Sequence, residues 1–188
     1  MHYYVVGVNG SGKTTLLKAI HEKIGIQVVQ GTAELMNWLG IPGDYDALRK
    51  MDQADVLNEW GETAAHLLQE YKNEDFLLDT HILNLTHGKI IPRDGPWIAD
   101  YGALILIKAR PATLLNRIAA DANKDRAMFT SEMDEATKLK MLDNYQNETQ
   151  KLFTELSETY GLPSLVIENE KALEDSVQSF INFHQTMS

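Results

Sequence analysis

Residues 3–15 read Tyr3-Tyr4-Val5-Val6-Gly7-Val8-Asn9-Gly10-Ser11-Gly12-Lys13-Thr14-Thr15. An apolar run without polar alternation enters a glycine-rich turn, and the turn ends in a lysine and two threonines. Such a run reads as a strand buried on both faces, here residues 3–8. Beyond the turn, Leu16, Leu17, Ile20 and Ile24 recur at helical spacing, with Gly25 in the position of a C-cap, so residues 13–24 read as a helix. Glycines let the connecting backbone curl with its N–H groups turned inward, and the following helix aims its positive end at the same point. Residues 7–14 satisfy the spacing G-x-x-x-x-G-K-[ST] without a gap, between a strand and a helix as that pattern requires. The bland alternative is a glycine turn with a solvent-facing lysine. The favoured reading is a cradle for phosphate oxygens at the carboxyl end of a strand, where an open parallel sheet places its ligands.

The rest of the chain alternates in the same way. Short apolar strands are predicted at residues 26–29, 76–78, 103–107 and 165–167. Helical patterns lie at 13–24, 32–39, 52–71, 132–160 and 172–184, and a further helix begins at Pro111. Residues 86–96 carry glycine and proline and read as a loop. Five strands joined by helical crossovers predict one α/β domain, residues 1–188, built as a three-layer α/β/α sandwich around a five-stranded parallel sheet.

Composition narrows the function classes. The 188 residues are 44% hydrophobic and 23% charged, ordinary globular values, with a net charge of −10. That charge disfavours non-specific binding to nucleic acid or to an anionic membrane. The absence of cysteine excludes disulfides and thiolate metal sites. No stretch approaches the length of a membrane span and the N-terminus has no charged leader, so a cytoplasmic protein with a small-molecule substrate is expected.

In the cradle, Asn9, Gly10, Ser11, Gly12, Lys13, Thr14 and Thr15 are expected to hold ATP. Lys13 would reach the β- and γ-phosphates and the Thr14 hydroxyl would ligate Mg²⁺. Asp79 ends the strand Phe76-Leu77-Leu78, and a carboxylate there suits ordering Mg²⁺ or its waters; capping a turn is its plainer role. Thr80 and His81 follow and could touch a substrate. Arg117, Lys124 and Arg126 place three cations within ten residues, suited to charge on a transferring phosphoryl group or, alternatively, to a solvated face paired with Asp121 and Asp125. Gly31-Thr32 at a helix start and Arg49 are candidates to hold an acceptor, or else an N-cap and a surface arginine.

These segments occur in a telling order: the glycine loop, Gly31-Thr32, LRKMD, LLDTH, ALILIKARP, then the short basic NRIAADANKDR. The chain resembles the nucleoside-monophosphate kinases, most closely the archaeal-type adenylate kinases. The resemblance implies a P-loop kinase fold and phosphoryl transfer from Mg-ATP to a nucleoside monophosphate. It implies a helical acceptor-binding subdomain at residues 31–72 carrying Gly31, Thr32 and Arg49, and a lid at about residues 117–130. Lys13, Asp79, Arg117 and Arg126 would then serve the transfer, with His81 at the acceptor. Two departures stand out. The segment after Asp79-Thr80-His81 reads HGKIIPRDGP, and the lid lacks paired arginines, for which Arg93 is the candidate to compensate. A kinase of another small molecule, or a slow ATPase acting as a switch or assembly factor, are the competing functions. A GTP-reading switch is disfavoured because Asn123-Lys124-Asp125-Arg126 fails the N-K-x-D pattern.

Overall fold

The computed structural model describes residues 1–121, 127–170 and 172–187. Strands β1 (His2–Val6), β2 (Gln27–Gln30), β3 (Phe76–Asp79), β6 (Ala103–Lys108) and β7 (Ser164–Glu168) form one sheet in the order β2-β3-β1-β6-β7. All neighbouring pairs are parallel, with Val5 beside Asp79 on one flank and Ile105 on the other. Helices α1 (Lys13–Ile24), α2 (Gly31–Trp38), α3 (Tyr45–Lys50), α4 (Gln53–Glu70), α5 (Pro111–Ala119), α6 (Glu135–Tyr160) and α7 (Leu173–Met187) supply the outer layers.

The period-2 geometry of β1 explains its uninterrupted apolar run. Tyr3 and Val5 point to one face, where they meet Leu16, Leu17 and Ile20 of α1 and Val177 and Phe180 of α7. Tyr4 and Val6 point to the other, against Val56, Trp60 and Leu67 of α4 and Phe153 and Leu156 of α6. Both faces are covered, so alternation with polar residues has no place here. β1 lies between β3 and β6; its own connection runs through α1 to β2 on one side, and the chain leaving β3 passes it to reach β6 on the other. The crevice at such a reversal is where open parallel sheets bind ligands.

The five strands stand where the sequence places them. The segment read as a loop differs: β4 (Leu83–Thr86) and β5 (Lys89–Pro92) form an antiparallel hairpin. Its turn is His87-Gly88, both with positive φ, and Leu83 and Leu85 alternate inward into a cluster with Tyr145. Four-residue strands around a His-Gly turn carry too short a pattern to register as strands. Tyr145 fixes the hairpin by donating its hydroxyl hydrogen to the Leu83 carbonyl at 2.7 Å. Among the described residues, no helix is long and apolar enough to cross a membrane.

Candidate active site

The glycine loop closes on itself between β1 and α1. The Ser11 amide donates to the Val8 carbonyl at 3.1 Å, and Leu16 N–H to Gly12 O at 3.0 Å opens the helical ladder. The amides of Lys13, Thr14 and Thr15 therefore have no acceptor within their own helix. Gly12, the N-cap, is left-handed (φ 86°), contributes no side-chain cap, and no acidic residue sits in the first turn. The positive end of a 12-residue helix is thus left to the crevice.

The loop's carbonyls are held from outside. Arg117 Nη1 donates to both the Gly10 and the Ser11 carbonyls at 3.1 Å. Asn169, just past β7 and buried, donates from Nδ2 to the same Ser11 carbonyl at 2.8 Å, while its own amide is tied to Lys108 O. Turning the carbonyls outward toward α5 and β7 leaves the amides facing the crevice, the arrangement a bound oxyanion needs. The brace also explains Gly12: a Cβ there would stand 2.4 Å from Asn169 Nδ2.

Lys13 is buried at 7% exposure and reaches back so that Nζ donates to Gly7 O at 3.0 Å and stands 3.7 Å from Asp79 Oδ1. The Thr14 hydroxyl donates to Asp79 Oδ2 at 3.0 Å. One ammonium, one hydroxyl and one carboxylate thus meet where β1 and β3 end. Among the described residues, no three His, Cys, Asp or Glu side chains converge to cage a metal. Mg²⁺ in phosphate sites takes one or two protein oxygens, the rest coming from phosphate and water, so the Thr14–Asp79 pair fits it. Asn9 Oδ1 and Ser11 Oγ are buried without a hydrogen-bond partner, and they fit a polar ligand in the same loop.

Beside this cluster runs a cleft enclosing about 70 Å³. Its polar lining is Thr32, Thr80, His81, Asn84 and Arg93, and Leu35, Val56 and Trp60 make its apolar wall. Trp60 is fixed by its indole N–H, which donates to the Tyr4 hydroxyl at 3.2 Å. His81 Nδ1 lies 2.8 Å from Gly7 O; a carbonyl only accepts, so Nδ1 carries the hydrogen and Nε2 is an acceptor in the neutral ring. Gly7 O therefore joins the cleft to the Lys13 cluster.

The structure sorts the expected site residues. Lys13, Thr14 and Asp79 come together, and Thr32 and His81 line the adjoining cleft. Gly31 is a packing glycine: a Cβ there would stand 2.5 Å from the Trp60 ring. Arg49 lies on α3 at half exposure, with Nη1 donating to Asp46 Oδ1 at 2.7 Å, away from the cleft that its neighbour Leu48 lines. Arg117, expected as a lid cation, braces the loop. Lys124 and Arg126 lie outside the described residues. Sequence reasoning missed Asn169 and treated Trp60 as core alone. A polar residue directly after the fifth strand, at the ligand-bearing edge of the sheet, was the signal available for Asn169.

A family model described as an AAA domain matches residues 6–134. The adenylate kinase of Thermoplasma acidophilum is 30% identical over 132 residues, 67% of this chain and 70% of that one. Among solved structures, shikimate kinase from Acinetobacter baumannii in complex with shikimate superposes with a TM-score of 0.70 at 16% identity, covering 98% of this chain and 93% of that one. Deoxyadenosine kinase from M. mycoides gives a TM-score of 0.60 at 13% identity, covering 99% and 100%. The chain thus belongs to the AAA-domain family of P-loop proteins, as a phosphotransferase of the kinase kind related to the adenylate kinases.

Proposed function

We propose that the protein transfers the γ-phosphoryl group of Mg-ATP to a nucleoside monophosphate. The observation that carries the proposal is the contact of two sites: the Lys13–Thr14–Asp79 cluster and the Trp60–His81–Arg93 cleft meet at Gly7 O. A donor phosphate in one and an acceptor in the other would lie side by side. Relatedness to an adenylate kinase supports a nucleotide as the acceptor.

In the reaction, an oxygen of the acceptor phosphate forms a bond to the γ-phosphorus while the β–γ bridging P–O bond breaks, and ADP leaves with the bridging oxygen. The loop amides and Lys13 hold the donor's β- and γ-oxygens. Thr14 and Asp79 supply the protein oxygens for Mg²⁺, which when bound neutralises charge on the same phosphates. An acceptor that is already an anion needs no dedicated base, so positioning and electrostatics carry the rate. Residues 31–72 act as the acceptor subdomain, contributing Thr32 and Trp60. The cytoplasm, where ATP is plentiful, is the expected setting.

The modest volume of the cleft favours one second reading: a compact hydroxylated acceptor in place of a nucleotide. Incubation with ATP and single nucleoside monophosphates, followed by separation of the products, decides. A nucleoside diphosphate formed in step with ADP is expected. ADP and free phosphate alone, from every nucleoside monophosphate tried, would refute the monophosphate as acceptor; the same incubation with shikimate then tests the hydroxylated acceptor, and hydrolysis alone there too would leave a slow ATPase.

A further inference from the structure

Arg93 is the feature of the cleft that the transfer chemistry leaves unused. Its backbone is pinned where the β4–β5 hairpin opens, its amide donating to Ile82 O at 2.7 Å, so the side chain enters the cleft from a fixed base. The residue is half-buried. Among the described residues, no carboxylate is ion-paired with its guanidinium, and no Asp or Glu lines the cleft. In a chain with a net charge of −10, this cleft is locally cationic. Burial pulls the Arg93 pKa below the usual arginine value. Withdrawing a cation from water without a partner is unfavourable, and an anion binding beside it offsets that cost.

The planar guanidinium presents paired donors that match a carboxylate or a phosphomonoester in a two-point contact. The cleft's other polar groups, on Thr32, Thr80, His81 and Asn84, include no carboxylate, so they can orient an anionic ligand without repelling it. The Trp60 ring offers an apolar face to the remainder of the same molecule.

We propose that Arg93 is the specificity-determining residue of the acceptor cleft, binding an oxyanion of the second substrate and so restricting acceptors to anionic molecules, phosphomonoesters or carboxylates, over neutral nucleosides and sugars. The inference rests on the kinase reading for the identity of the cleft as the acceptor site. It differs from that reading in assigning the acceptor's charge to one residue outside the segment expected to hold it.

The test separates binding from turnover. With the P-loop saturated by a non-hydrolysable ATP analogue and Mg²⁺, intrinsic tryptophan fluorescence is titrated with AMP, CMP and GMP, with shikimate as a hydroxycarboxylate, and with adenosine, cytidine and guanosine as neutral counterparts. At least one anion should bind the wild-type protein more tightly than its neutral counterpart. Arg93→Met should weaken that anion by about 100-fold, the scale of a lost two-point charged contact. Arg93→Lys should recover part of the loss, and ATP-analogue affinity should stay within about twofold, which also reports that the variants fold. If no anion distinguishes the wild type from Arg93→Met, or if neutral counterparts bind equally well, Arg93 is not the anchor. Which arm responds separates phosphomonoester from carboxylate. Anion binding through Arg93 without phosphoryl transfer would sink the kinase reading and leave this assignment standing.

Discussion

The brace on the phosphate loop gives a quantitative test through Asn169→Ala and Arg117→Ala. The two side chains donate to one carbonyl, that of buried Ser11. Either substitution alone leaves that oxygen one side-chain donor. Asn169→Ala removes one buried hydrogen bond and should cost about 1 kcal/mol, which for a chain of this size lowers Tm by roughly 2–4 °C. Arg117→Ala should cost a similar amount, since Arg117 is itself exposed and its bonds to Gly10 O, Ser11 O and Asn169 O are partly solvated from the guanidinium side. The double variant differs in kind. It leaves the Ser11 carbonyl without a side-chain donor, and a buried acceptor so orphaned costs about 1–3 kcal/mol. The double variant should therefore exceed the sum of the singles by about 1 kcal/mol or more, outside the ~0.3–0.5 kcal/mol within which independent sites add. Function should follow, because carbonyls freed from outside can turn inward and set a negative dipole against phosphate. ADP affinity measured by calorimetry should fall about tenfold in each single variant, corresponding to ~1.4 kcal/mol, and further in the double. Additive melting temperatures combined with unchanged ADP affinity would refute the brace.

Other perturbations follow from the same contacts. Gly12→Ala sets a Cβ 2.4 Å from Asn169 Nδ2 and forces a left-handed residue, worth about 1–2 kcal/mol of strain; ADP binding measured by calorimetry should fall more than the thermal midpoint suggests, and normal binding would contradict it. Asp79→Asn keeps the shape but removes the carboxylate facing Lys13 and Thr14, so turnover should drop about 10- to 100-fold and demand more Mg²⁺; a magnesium titration identical to wild type would count against Asp79. At the opposite end of the sheet, burial and then the nearby Asp75 charge push the Tyr3 hydroxyl up to about 12, where it bonds His184 Nδ1 at 2.5 Å. A raised folded pKa means this stabilisation is complete below pH ~10, the unfolded value, and lost as pH rises toward 12. Tyr3→Phe should therefore flatten the decline of Tm over that alkaline window, and an unchanged slope would refute it.

The amino-acid sequence by itself determined the sheet and the phosphate loop. Both are written locally: continuous apolar strands record burial on two faces, and the glycine spacing ahead of Lys13-Thr14 records a backbone shape that few other residues permit. Asp79 was legible for the same reason, as a carboxylate ending an apolar strand. Only the tertiary structure decided what surrounds that loop. Arg117 proved to be a brace because a helix 107 residues along the chain from Gly10 returns beside it, and Asn169 joined it from 158 residues beyond Ser11. Arg49 looked suited to an acceptor, yet its helix carries it outward into a pair with Asp46. Arg93 entered the cleft because a hairpin too short to read in sequence turned its side chain there. Local pattern fixes what the backbone does within a few residues. Which side chains share a carbonyl, or face a cleft without a counter-charge, depends on crossovers that bring distant strand ends to one edge of the sheet.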